Sequence, residues 1–100
     1  MKSKDLDKEL QTLSGSQIML TPTKALTYRS AMVSACETFT GEPGSGDTLK
    51  AYNVGLKILN AKEDTVFEKE DVDFLISVIN NSRTFMAVVV GRLLDFINKN

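Results

Sequence analysis

Residues 68–80 read EKEDVDFLISVIN, and this stretch decides the class of fold. Its large apolar side chains recur at spacings of three and four residues, as they do on one face of an α-helix. The stripe comprises Val72, Leu75, Ile76 and Ile79. Acidic residues are concentrated at the start, where the positive end of a helix dipole favours negative charge. We therefore expect a helix over residues 68–80 with a buried apolar stripe.

Residues 84–98 read TFMAVVVGRLLDFIN and predict a second helix. Three consecutive valines disfavour a helix slightly, so packing must hold this one in place. The two helices carry more apolar residues than one buried stripe needs. The surplus comprises Phe74, Val78, Val90 and Leu94. Either both helices lie centrally in the fold, or part of this surplus belongs to an interface.

Upstream, residues 28–60 predict two more helices separated by a loop. Thr27 is suited to cap a helix over residues 28–39, because its hydroxyl can accept a hydrogen bond from an amide of the first turn. Three glycines and a proline within residues 40–46 predict the loop. Asp47 is placed to cap the helix that follows. Both helices should therefore begin at a capping side chain.

The second of these helices, over residues 48–60, has the pattern of an amphipathic helix, whose apolar face normally turns to the core. Its stripe comprises Leu49, Tyr52, Leu56 and Leu59, with Ile58 beside it. Gly55 lies within the helix, where glycine costs about 1 kcal/mol relative to alanine. We interpret this glycine as the mark of a close helix crossing.

The N-terminal segment is less regular. Residues 1–11 alternate lysines with acidic residues, and only Leu6 and Leu10 are apolar anchors, four residues apart on one helical face. This pattern predicts a frayed or weakly docked helix, and residues 1–13 as a whole are expected to be a frayed N-terminal segment.

A short β-compatible run covers residues 18–20 and is closed by Pro22, which cannot continue a strand ladder. It can pair with the apolar-rich residues 65–67 as a minimal two-stranded ribbon. The predicted fold class is mainly α, with three to four helices in one compact domain over residues 1–100 and this ribbon as an addition.

The composition disfavours several classes of function. One hundred residues, 42% of them hydrophobic and 25% charged, are typical of one globular domain. A net charge of −1 provides no positive field for nucleic acid or anionic lipid. Histidine is absent, which removes the commonest general base and the commonest metal ligand. We predict a non-enzymatic protein with no catalytic residues, no cofactor and no metal site.

Two further features fit this prediction. The single cysteine, Cys36, lies in an apolar stretch and is expected to be a buried reduced thiol. The apolar run at residues 85–90 is too short to span a membrane, and no N-terminal apolar run has the length of a signal peptide. We therefore expect no membrane association.

Two motifs suggest chemistry and fail on inspection. Residues 41–48, GEPGSGDT, match the phosphate-binding pattern G-x-x-x-x-G-K-[ST] except that Asp47 replaces the lysine, and its charge would repel phosphate. Residues 61–73 are acidic, but they lack the glycine and the spacing of a calcium loop. Complementation of a helix dipole explains most of this cluster.

Four phrases follow one another along the chain: ALTYRSAMV at 25–33, GLKILNA at 55–61, FEKEDVDFLI at 67–76 and VVGRLLDF at 89–96. Together, and over residues 18–97, they resemble a family of small tailed-bacteriophage proteins of unassigned function. The resemblance implies a bacteriophage protein in the cytoplasm of the bacterial host. It implies no particular activity.

We expect a phage-encoded protein that binds a host protein, for example a defence or replication component, and modulates it. The alternative is a virion, connector or tail-assembly subunit that self-associates. Tyrosine and arginine are favoured in interface hot spots, and phenylalanine supplies apolar contact area. The partner-binding candidates are Tyr28, Arg29, Tyr52, Phe85 and Arg92.

A third class is a nucleic-acid-binding accessory protein, which the net charge disfavours. In that case, basic side chains would line one face. These are Lys24, Arg29, Lys50 and Lys57. A small basic and aromatic patch at the start of the helix over residues 28–39 would offer a docking place for phosphate or for a partner carboxylate.

Overall fold

The computed structural model of the protein describes residues 1, 3–41, 44–82 and 85–99. Within these residues the chain forms two short strands and then four helices. They are β1 (Met19–Thr21), β2 (Lys24–Ala25), α1 (Tyr28–Glu37), α2 (Asp47–Leu59), α3 (Lys69–Asn80) and α4 (Ala87–Asn98). One buried apolar cluster draws side chains from the N-terminal segment and from all four helices. The prediction of a mainly α fold with a minimal β-ribbon is confirmed.

The two C-terminal helices provide much of the core. Their fully buried residues are Leu75, Val78 and Ile79 on α3, and Val89, Leu93 and Ile97 on α4. Of the predicted surplus, Val78 is thus in the core, and the other three residues are half-buried and pack against it. The predicted start of α4, Thr84, lies outside the described residues, and the helix itself begins at Ala87.

Helix α1 begins where its sequence predicts, and the prediction for Thr27 is confirmed. The Thr27 side chain accepts a hydrogen bond from the Ser30 amide, and the Ser30 hydroxyl accepts one from the Thr27 amide. This reciprocal capping box satisfies amides that the helix itself leaves unpaired. The amides of Tyr28 and Arg29 donate instead to the carbonyls of Lys8 and Leu6, at 3.1 and 2.7 Å.

The N-terminal segment is not the frayed helix that its charge pattern predicts. Leu10 and Leu6 are essentially inaccessible to solvent, and the backbone there forms turns and bridges rather than a helix. The amide of Leu10 donates to Leu26, that of Leu26 to Ile18 and that of Ile18 to Leu10, at 2.8, 2.7 and 3.0 Å. We call these three residues the hydrogen-bond ring. It ties the segment to the chain just before α1.

The predicted pairing of residues 18–20 with residues 65–67 is wrong. Strand β1 pairs instead with β2, antiparallel, with Met19 opposite Ala25 and Thr21 opposite Lys24. The physical reason is proximity along the chain, because closing a hairpin costs less conformational entropy than closing a loop of more than forty residues.

The start of α2 also differs from the prediction. Gly46, with φ of 80°, occupies the N-cap position, and Asp47 is the first helical residue instead of the cap. This left-handed conformation favours glycine, which has no Cβ to clash with the backbone. Asp47 still places a negative charge in the first turn, where the helix dipole favours it.

Gly55 marks a close crossing of α1 and α2, as its position predicts. A methyl group added at Gly55 would lie 3.1 Å from Cβ of Cys36 on α1. The residues of α2 that face the core are correspondingly small or slender: Ala51, Val54, Gly55 and Ile58. The predicted burial of Cys36 is confirmed.

Substituting the two helical glycines should have opposite effects. Gly91→Ala on α4 is expected to raise the free energy of unfolding by about 0.8 kcal/mol, because its new methyl group meets no atom within 4 Å and alanine favours a helix. Gly55→Ala is expected to lower it by about 1 kcal/mol, since overpacking the crossing outweighs the gain in propensity. Urea denaturation of both variants provides the measurement. Equal stabilisation by both would contradict a tight α1–α2 crossing.

Candidate functional site

The most prominent surface feature is an exposed apolar stripe on α2. Its members are Leu49, Tyr52, Leu56 and Leu59, with exposed fractions of 65%, 62%, 39% and 52%. We call this stripe the α2 seam. The amphipathic pattern of α2 is present, but the residues that face the core lie about 120° around the helix from this stripe, at 3.6 residues per turn. The small core-facing residues let α1 approach closely, and this leaves the larger side chains outside.

A groove beside the α2 seam is lined by side chains of both α1 and α2. It has a volume of about 390 Å³, and the walls from α1 include Val33, Glu37 and the nearby Phe39. Tyr52 and Leu56 of the seam form part of the opposite wall. Among the described lining residues, Glu37 carries the one charge. The seam and groove therefore form one continuous surface that is mostly apolar.

The basic residues of α2 lie away from the seam. Lys57 forms an ion pair with Asp71, at 3.1 Å, and its ammonium group lies 5.4 Å from the centre of the Phe67 ring. Lys50 lies 5.0 Å from the centre of the Phe74 ring. By helical geometry, the seam is flanked on this side by the uncharged Asn53 and Asn60. The seam is thus free of neighbouring charge on its own helix.

Among the predicted partner-binding residues, Tyr52 belongs to the α2 seam, whereas Arg29 makes contacts within the fold. Its guanidinium donates to the carbonyls of Ile58, Leu59 and Ala61, at 2.8, 3.0 and 2.8 Å. It also forms an ion pair with Asp7 at 2.8 Å. Arg29 therefore caps the C-terminal end of α2 and links the N-terminal segment to it.

The other three candidates lie away from the seam. Tyr28 stacks on Phe96 with ring centres 4.5 Å apart. Arg92 donates to the carbonyls of Gln11 and Thr12, at 3.1 and 3.0 Å. Phe85 is half-buried against the core. The structure therefore does not bring the five candidates together in one site.

Tyr28 and Arg92 do share a second depression, of about 740 Å³, between the N-terminal segment and the end of α4. Its rim carries Lys4, Lys8 and Lys99 together with Asp5 and Asp95. Arg92 adds a fourth positive charge, so the lining has four cationic groups against two carboxylates. The charged groups of the rim are exposed, so solvent screens the weak attraction that this depression has for an anion.

Most of the basic side chains that were candidates for binding nucleic acid make contacts within the fold instead. Arg29, Lys50 and Lys57 each contact a carbonyl, a carboxylate or an aromatic ring. The first-turn amides of α1 are taken by Thr27 and by the carbonyls of the N-terminal segment, so they are not available to phosphate. In the phosphate-loop-like motif, Glu42 and Pro43 lie outside the described residues.

Cys36 lies at the bottom of the α1–α2 groove. Burial, and to a smaller extent the charge of Glu37, raises the pKa of its thiol to about 11. The group is therefore protonated at neutral pH and is a poor nucleophile. Among the residues that the structure describes, no group of three or more potential ligands could hold a metal ion.

None of the helices in the described part of the chain has the length and apolarity needed to cross a membrane. In comparisons with known proteins, no family model, curated protein or solved structure matches this chain. The candidate site therefore depends on its geometry alone. Of its residues, the sequence predicts a partner-binding role for Tyr52, whereas an amphipathic pattern favours burial of Leu49, Leu56 and Leu59. Ala51 and Gly55 are small, and small residues of this kind distinguish the face of α2 that packs in the core from the exposed face.

Proposed function

We propose that this protein is a non-enzymatic interaction protein that binds another protein through the α2 seam and the adjoining groove. The observation that carries the proposal is the exposure of four large apolar side chains in line on one helix. Contiguous apolar surface of this kind typically marks a binding site, whereas isolated exposed apolar residues are ordinary. Tyr52, at the centre of the seam, is a tyrosine, which together with tryptophan and arginine is enriched in binding hot spots.

The shape of the surface favours a helical segment in the partner. A partner helix lying along the groove would contact Val33 on one side and the α2 seam on the other, with its own apolar residues at spacings of three and four. Because binding also costs orientational freedom and side-chain ordering, the apolar area alone does not set the affinity. The seam supplies the contact, and the partner's complementary helix supplies the specificity.

The biological setting is proposed from the resemblance to small tailed-phage proteins. In that setting the partner is a protein of the bacterial host, and binding modulates it by covering a functional surface. A virion, connector or tail-assembly subunit is the second candidate, because the same apolar seam would also serve a subunit contact. A discrete large oligomer of the pure chain, measured by light scattering, would favour that second candidate.

Substitution of the seam tests the proposed function. The double variant Leu49→Ser/Leu59→Ser is expected to lose a protein that the wild-type chain retains from a bacterial lysate. Both side chains are more than half exposed, so the fold should survive. After identification of the retained protein by mass spectrometry, calorimetric titration should show binding weakened at least about tenfold, which is about 1.4 kcal/mol.

The matched control is Leu13→Ser, which removes an 87% exposed leucine outside the four helices. It should bind as the wild type does. Equal binding by the control and the seam variant would contradict the proposal, and so would turnover of a substrate by the purified chain.

A further inference from the structure

The α2 seam also fits a second copy of this chain. We propose that two chains associate through their seams, with the two α2 helices antiparallel about a two-fold axis. The inference rests on the proposed function, in which the seam is a protein-binding surface, and it names one occupant of that surface.

The spacing of the seam residues is that of a helix pair. From Leu49 to Leu59 the residues follow steps of three, four and three, which is the seam spacing of a coiled coil. In an antiparallel pair, Leu49 packs on Leu59 of the second copy, and Tyr52 packs on Leu56 of the second copy. Each chain thus offers the surface that the other requires, as a two-fold contact demands.

The charges around the seam permit two copies to approach each other. The edge of the seam formed by Asn53 and Asn60 is uncharged, and the lysines of α2 are held on other sides of the helix by Asp71 and by aromatic rings. Like surfaces can therefore meet along this edge without like charges facing each other. Antiparallel helix dipoles attract, which sets the orientation. Glu37, in the groove, is the charge that the second copy has to accommodate.

The chain exposes more surface than a compact monomer of its mass is expected to expose. The chain exposes 6532 Å² of surface. A compact monomer of 11.0 kDa is expected to expose about 5,600 Å². The excess of about 900 Å² is similar to the roughly 800 Å² that each partner buries in an ordinary specific interface. Because the seam is only part of this excess, the interface is smaller than an ordinary one, and we expect a weak dimer that forms at high concentration.

Sedimentation equilibrium of the pure chain tests the pairing. Between about 1 and 500 μM, the wild-type chain and the Leu13→Ser control should pass from monomer to dimer. The double variant Leu49→Ser/Leu59→Ser should remain mostly monomeric over this range, with dimerisation weakened at least about a hundredfold. Thermal melts followed by circular dichroism establish that each variant is folded. A monomeric wild type, a dimer that the seam variant retains, or a closed ring of more than two chains would each overturn the inference.

Disulfide trapping tests the orientation. A mixture of Leu49→Cys and Leu59→Cys chains, distinguished by mass, should form the mixed disulfide under mild oxidation, because the antiparallel pairing brings these positions together. Leu49→Cys alone should cross-link poorly, since its two copies would be about 15 Å apart along the helix, at 1.5 Å per residue. The wild-type chain is the control for the native thiol, because Cys36 is buried. Efficient cross-linking of Leu49→Cys alone would overturn the antiparallel arrangement.

The two proposals fail in different ways. If the wild-type chain remains monomeric but its host partner still requires the seam, the second copy is excluded and the proposed function stands. If the dimer requires the seam and no other protein does, the inference stands and the host-binding function fails.

Discussion

Leu10→Ala is expected to lower the free energy of unfolding by about 3 kcal/mol, a typical cost when a fully buried leucine leaves a cavity. Leu10 has no exposed surface and packs in the main apolar cluster. It also belongs to the hydrogen-bond ring, whose backbone geometry prevents the surroundings from collapsing into the space. Chemical denaturation by urea, followed by circular dichroism, measures the change.

Leu13→Ala is the control for this prediction, because Leu13 lies three residues further along the chain and is 87% exposed. Its effect should be within about 0.5 kcal/mol of zero. If Leu10→Ala had an equally small effect, the N-terminal segment would be frayed in solution, as its charge pattern alone predicts. The comparison thus tests directly the largest difference between the sequence-based expectation and the structure.

Arg29→Ala should have an effect of similar size, about 3 kcal/mol. One guanidinium nitrogen donates to three carbonyls at the end of α2, where carbonyls lack partners within the helix. Hydrogen bonds from a charged group contribute about 1.5–3 kcal/mol, and removing the donor also takes the Arg29 hydrogen bond from the part-buried carbonyl of Ala61. The midpoint and slope of urea denaturation give the loss.

Two further variants separate the carbonyl contacts from the ion pair. Asp7→Asn should cost less than about 1 kcal/mol, because the Asp7 side chain is 77% exposed and solvent screens the pair. Arg29→Lys keeps the charge but loses the planar group that reaches the carbonyls, so it should retain less than half of the stabilisation. If Asp7→Asn were as costly as Arg29→Ala, the ion pair would be the main contribution and this interpretation would be wrong.

Local sequence signals predicted the helices well. The capping box at Thr27 depends on residues three apart, and the stripes of α3 and α4 depend on one short window each. Such features are stabilised mainly by their immediate neighbours along the chain. For this reason the sequence alone predicts the fold class and the approximate bounds of α1 to α4.

Features that depend on distant segments could not be derived in this way. The hydrogen-bond ring joins three segments whose residues carry no local pairing signal, and so the docking of Leu6 and Leu10 was missed. On α2, two apolar stripes compete for the core, and hydrophobic spacing counts both equally. The choice between them depends on how closely α1 can approach, which is decided at Gly55 and Cys36.

The candidate site likewise depends partly on residue type and partly on the tertiary fold. Residue type alone identified Tyr52 as an interface residue, and its exposure is compatible with that role. Residue type also selected Arg29 and Arg92, whose guanidinium groups instead bind backbone carbonyls of the same chain. The local sequence around an arginine does not show whether it caps the end of a helix or binds a partner. Only the tertiary fold distinguishes the two roles.

The contacts of Arg92 have a consequence for the timing of folding during synthesis. Its guanidinium binds carbonyls that precede it by 81 and 80 residues. At about 5–20 residues per second, Thr12 leaves the ribosomal peptidyl-transferase centre roughly 4–16 s before Arg92 is added. During that interval the early segment lacks its final neighbour, and Leu6 and Leu10 are accessible to chaperones once they have left the exit tunnel. We therefore expect the native state to form only after α4 has emerged from the exit tunnel.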